Sequence, residues 1–172
     1  MELKYPPAGV KFLNYSRFHD DRGSFFRVLE LRGNVSQELD VSLASNDLKH
    51  TLRGFHYNKN ITLENKYVTV LTGSIFDVLV DLRPEQESYL DWYGFTFSAE
   101  QESTMHVPPG IAHGYLTLED KTTVSYVMDC AFEVGDYGRI RWNDPCLEVR
   151  WPFEPQVISP QDRFADLLQT QK

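Results

Sequence analysis

Apolar positions along this chain come in short runs that alternate with period two and are cut by turn residues. Residues 66–72 (KYVTVLT) end at Gly73, and 74–82 (SIFDVLVDL) end at Arg83-Pro84. Residues 92–98 (WYGFTFS) alternate aromatic and polar side chains. Runs at 112–118 (AHGYLTL) and 122–128 (TTVSYVM) flank Glu119-Asp120-Lys121, which reads as a hairpin turn. Two more runs, 140–142 and 147–151, sit either side of Asp144-Pro145.

Alternation of this kind predicts strands whose successive side chains face opposite ways. In 75–82 both faces are apolar, with Phe76, Val78, Val80 and Leu82 on one and Ile75 and Leu79 beside Asp77 and Asp81 on the other. That strand is expected to lie between two layers. Many short strands without intervening helices predict an antiparallel sandwich or closed barrel. Helix is expected only near residues 35–39 and at the tail. There Ser159-Pro160-Gln161-Asp162 has the form of an N-cap with proline in the first turn, leading into Phe164, Leu167 and Leu168.

Composition sharpens this picture. The 9 Tyr, 11 Phe and 3 Trp suit half-buried pleated surfaces, and a length of 172 residues suits one domain spanning the chain. A net charge of -8 gives no basic stripe for nucleic acid or an anionic membrane. Cys130 and Cys146 form no framework and no metal spacing, which predicts reduced packing residues in a cytoplasmic protein. Residues 1–7 lack the apolar core of a signal peptide, and no run approaches the roughly 20 apolar residues that span a bilayer.

Chemistry concentrates in two segments. Leu52-Arg53-Gly54-Phe55-His56-Tyr57 places Arg53 and His56 three apart around a bend at Gly54, just ahead of a strand. Val107-Pro108-Pro109-Gly110-Ile111-Ala112-His113-Gly114 uses a rigid turn to feed His113 into a strand. Two histidines from different strands of a barrel raise a metal site, and Pro-Gly-x-x-His occurs in metal-binding cupins. Those proteins add a His-x-His pair, whereas His56-Tyr57-Asn58 supplies no second histidine.

Together these segments resemble the 3,5-epimerases of thymidine diphosphate 4-keto-6-deoxy sugars. The likeness runs from about Asp20 to Asp162. It includes Asp21-Arg22-Gly23, Leu52 to Tyr57, Lys66-Tyr67-Val68, Gly73 to Val78, Asp81-Leu82-Arg83, Ser98-Ala99-Glu100, Val107 to Gly114, Ile140 to Pro145 and Trp151-Pro152.

The resemblance implies an all-β cupin or jelly-roll barrel with short peripheral helices, no metal, no cofactor and a homodimer. It implies His56 as the base that takes a proton beside the ketone, and Asp162 as the carboxylate that orients it. Lys66 is then the cation beside the enolate oxygen, and Tyr126 the acid on the opposite face. Arg53 and Arg22 match the diphosphate contacts, with Arg22 reaching a partner subunit's site. His113 matches a histidine lining the site, with Asp77 expected to hold it, and Asn58 completes the expected substrate contacts. A nucleotide-diphosphate sugar is the expected partner. A metal-dependent cupin isomerase or oxygenase using His56 and His113, and a non-catalytic sugar-nucleotide binder, stand as alternatives.

The sequence departs from that family around the nucleotide and the sugar. Arg27 stands where a glutamate is usual, and Val41 and Leu43 fall where Gln and Asn read the base. Phe132 replaces a second tyrosine, Tyr137 a glutamate or histidine, and Gln161 a lysine. These changes leave the base, the sugar and the number of inverted centres open.

Overall fold

Gly73 and the turn at 119–121 decide the architecture, because at each the chain leaves one sheet and enters another. A computed structural model describes residues 1–30, 39–131 and 135–168. In chain order its strands are β1 (Lys11–Asn14), β2 (Arg17–Asp20), β3 (Gly23–Phe26), β4 (Asp40–Asn46), β5 (Thr51–Asn58), β6 (Lys66–Thr72) and β7 (Ser74–Asp81). They continue as β8 (Trp92–Ser98), β9 (Ser103–Val107), β10 (Ile111–Thr117), β11 (Thr122–Met128), β12 (Tyr137–Arg139) and β13 (Val157–Ile158), followed by one helical turn, α1 (Pro160–Arg163).

One sheet has the order β1-β9-β6-β11-β4, and the other β12-β5-β10-β7-β8 with β13 added alongside β5. The strands β2 and β3 form a separate hairpin. The segment 119–121 therefore does not close a hairpin, since β10 and β11 belong to different sheets. It is a corner, fixed by Ser74 Oγ donating to Glu119 at 2.5 Å and by Thr122 Oγ1 donating to the Glu119 carbonyl at 2.8 Å. Gly73 makes the matching corner between β6 and β7; a Cβ there would meet Thr122 Oγ1 at 2.4 Å. Two facing antiparallel sheets joined by such corners make a jelly-roll barrel.

The barrel interior is packed by Val68 and Val70, Ile75 and Leu79, Phe97, Met105, Ile111 and Val124. The strand β7 is covered on both faces as its pattern predicts. Its Ile75 and Leu79 belong to this inner cluster, and its Val78 and Val80 to a second one with Phe55, Trp92, Ile140 and Leu147. That outer cluster is capped by the C-terminal segment, including Trp151 and Leu168.

Elsewhere the structure departs from the pattern. The cluster around Arg53 and His56 does not precede a strand but is β5 itself. The runs 140–142 and 147–151 form no strands, because Asp144 gathers the chain into a turn. Its Oδ1 accepts the Cys146 amide at 2.8 Å, and its carbonyl accepts the Leu147 amide at 3.1 Å. The tail helix starts as expected, with Ser159 Oγ accepting the Asp162 amide at 3.1 Å and Pro160 in the first turn, yet stops at Arg163. Beyond it Arg141 takes the Asp166 carbonyl and Asp144 takes the Leu168 amide, so the backbone groups that would extend the helix are engaged elsewhere. The helix expected near 35–39 falls largely outside the described residues. No helix among the described residues is long and apolar enough to cross a membrane.

Candidate active site

A bulge in β5 builds the site. Across the β5–β10 ladder His56 lies opposite His113, and Arg53 opposite Tyr115. Three residue steps on one strand thus match two on the other. The extra residue re-phases the strand, so that Arg53 and His56, three apart, both face the cavity. Gly54 permits this: its φ is +127°, and a Cβ would sit 2.5 Å from Gly114 Cα.

Both histidines are anchored by carboxylates. His56 Nε2 lies 2.8 Å from Asp162 Oδ1, while the Gly54 amide donates to Oδ2 at 3.4 Å. Burial raises the Asp162 carboxyl, but the hydrogen bond and charge of His56, helped by Gly54 and Ser159, outweigh it and hold the group below its ordinary range. Asp162 is thus an anion at neutral pH, suited to fix a tautomer and to stabilise an imidazolium. His113 Nε2 lies 2.7 Å from Asp77 Oδ2 in a fully buried pair. Asp77 sits diagonally across the β7–β10 register, opposite Tyr115, which brings its side chain under the ring.

The facing sheet supplies the other groups. On β11, Tyr126 packs edge-on to His113 with ring centroids 6.1 Å apart. Burial first, and Tyr115 next, push the Tyr126 phenol well above its usual value, so it stays protonated. On β6, Lys66 Nζ lies 3.2 Å from Glu64 Oε1 in a buried ion pair. Glu64 also accepts from the hydroxyl of Tyr137 and, at 3.8 Å, from the Cys130 thiol. One buried carboxylate therefore collects three donors, which offsets its desolvation.

These elements surround a cavity of about 300 Å³ lined by Arg53, His56, Lys66, His113, Tyr126 and Tyr137, among others. His56, Lys66, Tyr126, Arg53 and His113 thus come together, and Asp162 stands behind His56. Asn58 does not join them; it is buried, and its Oδ1 accepts the Asn60 amide at 2.9 Å to shape the following turn. Arg22 lies at the tip of the exposed β2–β3 hairpin, with its guanidinium on Asp20 at 2.6 Å, away from the cavity lining. Of the departures, Leu43 lines the cavity, Val41 is exposed on edge strand β4, and Phe132 lies outside the described residues.

Sequence reasoning missed Glu64, Tyr115 and Arg139. The first two carried a signal, since Glu64 and Lys66, like His113 and Tyr115, are two apart and so share a strand face or its continuation. Arg139 carried none. It reaches Asp162 Oδ1 at 3.4 Å only because β12 pairs with β5, setting Arg139 opposite His56. Among the described residues no group of three or more His, Cys, Asp or Glu is placed to hold a metal ion.

A carboxylate-backed imidazole, a cation and a neutral phenol around one cavity define a jelly-roll protein equipped for acid–base chemistry. The sequence profile of the dTDP-4-dehydrorhamnose 3,5-epimerase family matches residues 5–170, and the chain belongs to that family. It is 33% identical to the dTDP-4-dehydrorhamnose 3,5-epimerase of Salmonella typhimurium, over 96% of this chain and 94% of that one. The crystal structure of the Bacillus anthracis enzyme of the same description, with TDP and PPi bound, superposes with a TM-score of 0.81 at 32% identity, covering 93% of this chain and 94% of that one. The Legionella pneumophila epimerase in complex with dTDP-4-keto-L-rhamnose gives 0.75 at 26% identity, covering 92% of each chain.

Proposed function

We propose that this chain epimerises C3, C5 or both of a nucleotide-diphosphate-linked 4-keto-6-deoxy sugar. One observation carries the reading: His56 on β5 and Tyr126 on β11 enter the same cavity from opposing sheets. A base and an acid on opposite walls are what inversion at a carbon requires.

His56 takes the proton beside the ketone, and the C–H electron pair moves onto the ketone oxygen as an enolate. Lys66 faces that oxygen and favours its charge. Tyr126 then gives its proton to the carbon from the other wall as the carbonyl re-forms. Asp162 holds the imidazole and stabilises the imidazolium. Arg53 and Arg139 at the cavity suit the diphosphate through paired N–H donors.

The proposal includes a cytoplasmic homodimer that supplies deoxysugars for surface polysaccharide. The β2–β3 hairpin supports the dimer, since it leaves Phe18 and Phe25 exposed at 67% and 68% on either side of Arg22. A partner covering these rings would bring Arg22 near a neighbouring cavity.

The test uses thymidine, guanosine and cytidine diphosphate 4-keto-6-deoxyglucose in heavy water. Deuterium should enter at C3, C5 or both with one of the three, and His56→Ala should abolish it. Undiminished exchange in that variant, or tight binding without exchange in the parent protein, would overturn the reading.

A further inference from the structure

Asp162 presents one oxygen to two side chains. Its Oδ1, which lies 2.8 Å from His56 Nε2, also lies 3.4 Å from Arg139 Nε. Arg139 Nη2 donates to Gln161 Oε1 at 3.2 Å, and Nη1 has no partner among the described residues. Pairing of β12 with β5 sets Arg139 opposite His56, so the guanidinium stands beside the base at the cavity wall.

The hold of Asp162 on Arg139 is loose. A charge-assisted N–H···O bond is about 2.7–2.9 Å long, and this contact exceeds it. The Arg139 side chain is 43% exposed, where solvent screens an ion pair and leaves it little net strength. A diphosphate carries oxygens that accept the paired N–H groups of a guanidinium, which makes it the better partner.

This competition bears on the base. A carboxylate stabilises an imidazolium through its negative charge, and a guanidinium at the same oxygen offsets part of that charge. The other charged and titratable groups around His56 are Arg53 on its own strand, His113 and Tyr115 from β10, and Tyr137 from β12. Lys66 and Tyr126 face it from the opposing sheet. Among the described residues, Arg139 is the cation that both touches Asp162 and lines the cavity.

We infer that Arg139 is a positioning residue that ties the strength of the base to the ligand, resting on Asp162 in the free protein and passing to the diphosphate in the complex. Asp162 then backs His56 with its full charge once a sugar proton is within reach. In the free protein the same carboxylate is shared, and His56 is the weaker base.

The inference rests on the proposed epimerase reading and is tested by pH profiles of epimerisation, since kcat/KM reports the free protein and kcat the complex. His56 must be neutral to take a proton, so each profile falls on its acid side. In the parent protein the fall in kcat should lie about one pH unit above the fall in kcat/KM, as for a like charge moved away from the imidazole. Arg139→Gln should raise the fall in kcat/KM and leave that in kcat in place, closing most of the gap while KM rises. Arg53→Gln should raise KM yet keep the gap, because Arg53 Nε is bonded to Asn46 Oδ1 at 2.8 Å rather than to Asp162. No gap in the parent, the same gap in Arg139→Gln, or a gap closed equally by Arg53→Gln would overturn the inference. A parent protein that exchanges no sugar protons would instead overturn the epimerase reading itself.

Discussion

His56 stands directly opposite His113 across the β5–β10 ladder, and each passes its Nε2 to a different carboxylate, Asp162 and Asp77. Two imidazoles side by side on one wall are thereby held apart in function. The His56 side chain is 37% exposed toward the cavity, whereas that of His113 is 4% exposed on a carboxylate with no exposure at all. The proposed mechanism accordingly gives abstraction to the former and support of the cavity wall to the latter.

Replacing Asp162 with Asn should therefore lower kcat by about a hundredfold or more, with KM little changed, because the amide leaves His56 in place without stabilising its cation. Steady-state kinetics on the sugar identified by the exchange assay would check this. His113→Asn should keep solvent exchange, and treatment with a chelator should leave the rate unaltered.

Asp162 also makes a pH prediction. Its folded carboxyl lies below its ordinary value, so its stabilisation is fully present above the unfolded-state range and is lost as pH falls through the folded value. Urea unfolding of the parent protein and Asp162→Asn should show the full difference above the unfolded carboxyl's value of about 3.9, and the two should converge only as the pH falls further, through the lower folded value.

The buried pair of Glu64 and Lys66 predicts a structural penalty as well as a catalytic one. Lys66→Met leaves a buried carboxylate that keeps Tyr137 and Cys130 but loses its cation. A destabilisation of about 3 kcal/mol is expected, measured by equilibrium denaturation. Exchange should fall even at temperatures where the variant is fully folded.

Gly54→Ala should destabilise by about 3 kcal/mol or prevent folding, since a side chain there combines positive φ with a backbone contact at 2.5 Å. Expression and thermal unfolding would show it, and a variant of parental stability would mean that the bulge can relax.

The two cysteines should separate in thiol labelling. Burial, together with Glu64 and Asp129, pushes the Cys130 thiol up to about 11, while Cys146 is exposed. At pH 8 an alkylating reagent should modify Cys146 in the folded protein and both thiols after unfolding.

Much of this was legible from the chain alone. Period-two alternation located β6, β7, β8, β10 and β11, because each has one side chain in two turned toward a packed interior. The family resemblance picked out His56, Lys66, His113, Tyr126 and Asp162, and the structure places the first four around one cavity with Asp162 bonded to His56. Local signals also set the start of α1, where Ser159 and Pro160 act within one turn.

Other features depended on partners distant in sequence. The corner at 119–121 looks like a hairpin until β10 and β11 are seen in separate sheets, because a turn does not encode which sheet its strands join. Arg53 and His56 share a face only through a bulge that β10 completes, and Arg139 meets Asp162 only through β12 beside β5. The line of hydrogen bonds from Arg53 through Asn46 to Tyr115 draws on three strands. Spacing fixes which face a side chain takes, but hydrogen bonds across the barrel exist only once the sheets have closed.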